Sequence, residues 1–122
     1  PVACAAALAV LKTLHDDDLI ARAGELGNMM LSSLNEQLGS IDGEGRANGV
    51  VDIRGKGLMI GIELDRPCAE IVELAKAKSL LLNVTAGNTV RLLPPFILTD
   101  EQARTIVNTV SEIVLDFLKT PA

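Results

Sequence analysis

Tryptophan and tyrosine are absent from this chain, and Phe96 and Phe117 are its only aromatic residues. A surface that stacks unpaired bases has almost nothing to be built from. Basic side chains are in deficit: 11 Lys and Arg stand against 16 Asp and Glu, for a formal charge of −5 at pH 7. That balance repels polyanions and anionic membrane surfaces at long range, so nucleic acid is not an expected partner and any anion must be bound locally. Long uncharged runs are lacking too. The longest, Ser79 to Val90, has 12 residues, well short of the roughly 20 that a spanning helix needs. The apolar opening from Pro1 to Leu8 has no basic stretch before it and runs into an amphipathic pattern, so it reads as a helix rather than a secretory leader.

Groups suited to catalysis are scarce as well. Cys4 and Cys68 lie far apart among small apolar residues, outside any CxxC or Cys/His cluster. Both are expected to be buried and reduced, which favours a cytoplasmic location. The one histidine, His15, ends a predicted helix, where a dipole role outweighs general-base chemistry. The run Asp16-Asp17-Asp18 reads as capping rather than as a metal site. Glu70 with Glu73, and Asp100 with Glu101, fall on exposed faces with no reason for a raised pKa. Arg54-Gly55-Lys56-Gly57 superficially resembles a phosphate loop, but it joins two predicted strands and lacks both the GxxxxGK[ST] spacing and a following helix.

What is present is a chain of 122 residues, 48% of them apolar, which fits one globular domain with a real core. Ala-rich Val2–Leu14 predicts a first helix. Leu19, Ala23, Leu26, Met30 and Leu34 recur at helical spacing and predict a second, running to about Leu38. Gly39 to Gly49 reads as a loop. Val50–Arg54 and Leu58–Leu64 predict a hairpin about Gly55-Lys56-Gly57, and Cys68–Lys78 a third helix. Leu80–Val84 and Thr89–Leu93 predict two more strands, joined through Thr85-Ala86-Gly87-Asn88, where Gly87 and Asn88 tolerate a positive φ. Thr99 and Gln102 form a capping-box pattern before a last helix that carries Ile106, Val110, Ile113 and Phe117. The sum is an α+β fold: a small, mostly antiparallel sheet covered on one face by helices.

Arg91 is the residue with chemical weight. The alternating run Thr89-Val90-Arg91-Leu92-Leu93 puts a guanidinium in apolar surroundings beside Pro94-Pro95, and a buried or half-buried Arg demands an anion. That anion is either an internal carboxylate or the carboxylate of a ligand held in the planar fork of the side chain.

Three blocks add a resemblance. Pro1-Val2-Ala3-Cys4-Ala5-Ala6-Ala7-Leu8-Ala9-Val10-Leu11, Ile53-Arg54-Gly55-Lys56-Gly57-Leu58-Met59-Ile60-Gly61-Ile62-Glu63-Leu64 and Val90-Arg91-Leu92-Leu93-Pro94-Pro95-Phe96 resemble the C-terminal part of class III aminotransferases, and the likeness extends over essentially the whole chain. Around Arg91 it is strongest to the branch that uses acetylornithine. The resemblance implies the small C-terminal domain of a fold-type-I, pyridoxal-phosphate-dependent enzyme of arginine biosynthesis, a cytoplasmic homodimer. Its reaction moves the terminal amino group between N-acetylornithine and 2-oxoglutarate. Residues 1–122 would be one domain, with residues 1–14 the helix leading in from a large catalytic domain; Pro1 as first residue leaves open either that or removal of an initiator Met.

It further implies that Arg91 binds a substrate carboxylate and that Arg54 has a structural role. None of Lys12, Lys56, Lys76, Lys78 and Lys119 falls at the family's cofactor-binding lysine, so this chain is expected to hold no cofactor and to be inactive alone. Ser79 stands where relatives usually have Gly. The Ala-rich face of the first helix and part of the sheet are expected to be left uncovered, an apolar patch that promotes self-association. Two other readings stand beside this one: a class III enzyme for ornithine, succinylornithine or 4-aminobutyrate, and a free-standing module that binds a carboxylate without catalysis.

Overall fold

The computed structural model describes residues 1–39 and 49–121. Helix α1 spans Val2–Asp16 and α2 spans Leu19–Leu38. They are followed by strands β1, Val50–Lys56, and β2, Met59–Leu64. Helix α3 covers Ile71–Ala77, strands β3 and β4 cover Asn83–Thr85 and Thr89–Leu92, and α4 runs from Asp100 to Lys119. The loop expected over Gly39–Gly49 lies, for residues 40–48, outside the described residues. No helix among the described residues is long and apolar enough to cross a membrane.

The four strands form one sheet in the order β1-β2-β4-β3, every neighbouring pair antiparallel. Period-two alternation divides it into two chemically distinct faces. Ile53, Ile60, Ile62, Leu64, Val90 and Leu92 point into the core. There they meet Leu26, Met30 and Leu34 of α2 and Val107, Val110 and Val114 of α4, all essentially without solvent contact. Each such side chain contributes about 1.5–3 kcal/mol of burial. The opposite face carries Arg54, Lys56, Met59, Gly61, Glu63 and Arg91, and no helix among the described residues covers it.

Local chemistry explains the element ends. Thr99 accepts from the Gln102 N–H (3.1 Å) while the Gln102 side chain accepts from the Thr99 N–H (3.0 Å), the reciprocal cap expected from the sequence. Arg22 ties α2 to that corner, donating to the Leu98 carbonyl at 2.9 Å and pairing with Asp100 at 2.6 Å. The acidic run between α1 and α2 behaves differently from expectation. Asp18 occupies the N-cap of α2 with a left-handed backbone, φ 51°, and makes no side-chain cap, while Asp16 pairs with Lys12 one turn back in α1.

The hairpin strand β1 continues through Lys56, which pairs with Met59, so the turn is Gly57-Leu58 rather than the three residues expected. Gly57 takes φ +57° and makes that tight reversal possible. Helix α3 is shorter than Cys68–Lys78 and ends on Ser79, φ 59°. The Ser79 N–H donates to the Lys76 carbonyl (3.0 Å) and the Leu80 N–H to the Ala75 carbonyl (2.9 Å), the paired bonds of a Schellman stop. Leu80–Leu82 consequently leave α3 outside the sheet, and β3 begins only at Asn83, because β4 ends at Leu92 before Pro94-Pro95 and offers them no partner. In the β3–β4 turn the positive φ values fall on Ala86 and Gly87, not Asn88. Asn88 instead donates from its side chain to the Leu64 carbonyl at 2.9 Å, fastening the turn to the end of β2.

Candidate functional site

The open face of the sheet is organised in rows by strand register. Arg54 of β1 lies opposite Gly61 of β2, Gly61 opposite Arg91 of β4, and Arg91 opposite Asn83 of β3. Two guanidinium side chains therefore flank a residue that has no side chain. The floor between them opens into a depression of about 400 Å³ lined by Arg54, Lys56, Met59, Gly61, Thr85, Thr89 and Arg91, among others. A second, smaller hollow of about 210 Å³ borders Arg91 on its β3 side, against Leu81 to Asn83 and Leu93.

Arg91 is exposed, which corrects the half-buried setting expected from its apolar neighbours. Val90 and Leu92 are buried because they point inward, and the same alternation turns Arg91 outward. Among the described residues its side chain has no hydrogen-bond or ion-pair partner, so the internal-carboxylate alternative finds no support there. Arg54 is the opposite case. Its Nη1 reaches Glu63 Oε2 at 2.7 Å and Asp52 Oδ2 at 3.1 Å. Hydrogen bonding to Glu63 first, and to Asp52 second, raises the guanidinium pKa further above its already high ordinary value. One arginine of the row is neutralised and the other is available.

The remaining candidates separate cleanly. His15 sits exposed in the last turn of α1, as a dipole role requires. Glu73 pairs with Lys76, and Asp100 with Arg22. No group of His, Cys, Asp and Glu among the described residues is arranged to hold a metal ion. Cys68 is buried and its thiol pKa is pushed up by desolvation, but Cys4, expected to be buried, is exposed. Its helix α1 buries no residue at all. Beside α1, Ala9, Val10, Leu14, Leu19, Phe96 and Ile97 line an apolar groove of about 430 Å³. Gly61, Thr85, Thr89 and Glu63 were not singled out by sequence reasoning; their place follows from strand register, of which the β1–β2 and β3–β4 turns are signalled locally and the β2–β4 pairing is not.

This small α+β domain, with its antiparallel sheet open on one face, matches the small-domain part of fold-type-I aminotransferases. It superposes on the ornithine aminotransferase of Toxoplasma gondii ME49 with a TM-score of 0.85 and 29% identity, covering 98% of this chain and 28% of that one. For the acetylornithine aminotransferase of Elizabethkingia anophelis the values are 0.82 and 32%, covering 96% and 29%. In sequence, the chain is 42% identical over 118 residues to acetylornithine aminotransferase 1 of Bordetella bronchiseptica, covering 97% of this chain and 28% of that protein. The profile described as Aminotransferase class-III matches residues 1–114, and the chain belongs to that family. It spans a little over a quarter of the length of these relatives.

The family implies pyridoxal phosphate, and the described residues do not by themselves fit it. No aromatic side chain lines the depression to stack on a pyridine ring. Lys12, Lys76, Lys78 and Lys119 are each committed to a carboxylate, and Lys56 lies exposed at the hairpin end. What the open face presents is a means of holding an anion.

Proposed function

We propose that this chain is the C-terminal small domain of a pyridoxal-phosphate-dependent ω-aminotransferase, residues 1–14 being the helix that leads in from a large catalytic domain. In this reading Arg91 holds a carboxylate of the amino or oxo acid. The observation that carries it is the Arg91 guanidinium, exposed and without a partner among the described residues, at the edge of a depression with room for a small dicarboxylate. A planar fork on a rigid strand fixes the direction in which a bound carboxylate extends, and so which end of the substrate is offered for reaction. The cofactor, held by residues beyond those described, would supply the carbanion chemistry.

The substrate class is an ω-amino acid of the ornithine type. Sequence likeness is to enzymes named for acetylornithine, and structural likeness extends equally to enzymes named for ornithine. We place the assignment at the class these share, with N-acetylornithine and ornithine as first donors to try and 2-oxoglutarate as acceptor. A homodimer is the assembly proposed.

The test is glutamate formation by the longer protein carrying this sequence, supplied with pyridoxal phosphate, 2-oxoglutarate and each donor in turn. Turnover is expected with at least one donor. Arg91→Lys should raise the KM for 2-oxoglutarate by about tenfold or more, because an ammonium cannot replace the two-pronged contact. Absence of turnover with every ω-amine would overturn the catalytic reading in favour of a module that binds carboxylates, and an unchanged KM in Arg91→Lys would overturn the role of Arg91.

A further inference from the structure

The register of the sheet gives one carboxylate two possible arginine partners. Gly61 is the cross-strand partner of both Arg54 and Arg91, and Glu63 is two residues further along the same central strand, on the same face. Each arginine is therefore a diagonal neighbour of Glu63, at the roughly 7–8 Å backbone separation that long side chains bridge. The diagonal to Arg54 is closed at 2.7 Å. No ion pair among the described residues closes the diagonal to Arg91; the register sets Thr89 opposite Glu63 and the bare Gly61 opposite Arg91. Asp52, opposite Glu63 on β1, adds the second contact to Arg54 at 3.1 Å and makes that side the better one for a guanidinium placed between two carboxylates.

We propose that Arg54 is a positioning residue for the anion site: by holding Glu63 toward β1 it prevents Glu63 from closing an ion pair with Arg91, and so keeps Arg91 open to a ligand carboxylate. The inference rests on the reading of Arg91 as a carboxylate ligand, and it assigns Arg54, on the wall of the same depression, a part in binding that it plays through Glu63. Without Arg54, the diagonal that the register leaves to Glu63 among the described residues is the one to Arg91, and the site closes on itself.

The experiment is NMR of the Arg91 side-chain N–H in the wild-type protein and in Arg54→Met, Glu63→Gln and the double variant, each titrated with glutarate as a non-reacting dicarboxylate. In the wild type and in Glu63→Gln the Arg91 N–H should exchange rapidly and shift with glutarate. In Arg54→Met the exchange should slow, and the glutarate dissociation constant should rise about two- to fivefold, the competition one exposed ion pair can offer. The double variant should recover both properties. Unchanged exchange in Arg54→Met, or slowing that Glu63→Gln does not reverse, would overturn the proposal. If Arg54→Met were poorly folded by its backbone spectrum, Arg54→Lys serves instead: its single ammonium releases part of the hold on Glu63 and should give a smaller change of the same sign, and no change would again overturn it. Slowed exchange in Arg54→Met with no response to glutarate in any variant, wild type included, would instead reject the reading of Arg91 and leave the contest for Glu63 standing.

Discussion

Gly27, in the middle of α2, packs directly against the carbonyl of Gly57 at the tip of the β1–β2 hairpin; a Cβ at position 27 would overlap that peptide group. Glycine inside a helix costs about 1 kcal/mol relative to alanine, so the pair trades helix propensity for a close approach of helix to turn.

Gly27→Ala should therefore destabilise the protein despite improving helix propensity. Overlap with backbone cannot be relieved by a rotamer change, and overpacking of this kind costs about 1–3 kcal/mol. A urea denaturation midpoint equal to or above that of the wild type would show that the helix can move away from the turn at no cost.

Ser79→Gly should have the opposite sign. Ser79 holds the left-handed position of the α3 stop, φ 59°, with both Schellman hydrogen bonds in place. Glycine removes the strain of a Cβ there, and a gain of up to about 1 kcal/mol is expected. Thermal unfolding of the two proteins is the check, and no rise in midpoint would mean that Ser79 is already relaxed.

Parts of this fold are legible in neighbouring residues and parts are not. Helix α2, the capping box of α4 and the β1–β2 hairpin follow from periodicity and turn chemistry, since each is written in neighbouring residues. The exposure of Arg91 is not legible locally, because Val90 and Leu92 look alike as an apolar neighbourhood and as the inward half of an alternating strand. Leu80–Leu82 read as strand on composition, yet a strand needs a partner, and Pro94-Pro95 removes it. The row Arg54, Gly61, Arg91 depends on pairing between β2 and β4, which are separated by a helix and a further strand, so no local signal contains it.

The surface of α1 carries a prediction about association. None of its residues is buried, and Leu8 and Leu11 are 67% and 63% exposed. Together with the groove beside Phe96 and Ile97 this makes an apolar surface of the kind that seeks cover. The 122-residue protein is expected to self-associate at micromolar concentration, and Leu8→Glu with Leu11→Glu to shift it toward monomer. Sedimentation velocity on the two proteins decides the matter, and a wild type that stays monomeric would show that this face is not adhesive.

The two cysteines should differ sharply in reactivity. Cys4 is on the exposed helix, whereas Cys68 has no solvent contact and its thiol pKa is raised above the ordinary 9.0 by desolvation. A thiol reagent at neutral pH should modify one cysteine of the folded protein quickly and the second only on unfolding, because attack requires an accessible thiolate. The same shift fixes the sign of a pH effect. The unfolded chain releases the Cys68 proton near its ordinary pKa and the folded chain only at higher pH, so the stability associated with the neutral thiol is complete below about 9 and declines as pH rises through the folded value. Cys68→Ala should lose that alkaline component while incurring the cost of a small cavity. Denaturation midpoints for both proteins between neutral pH and pH 10 test it, and parallel curves across that range would show that Cys68 does not titrate differently in the two states.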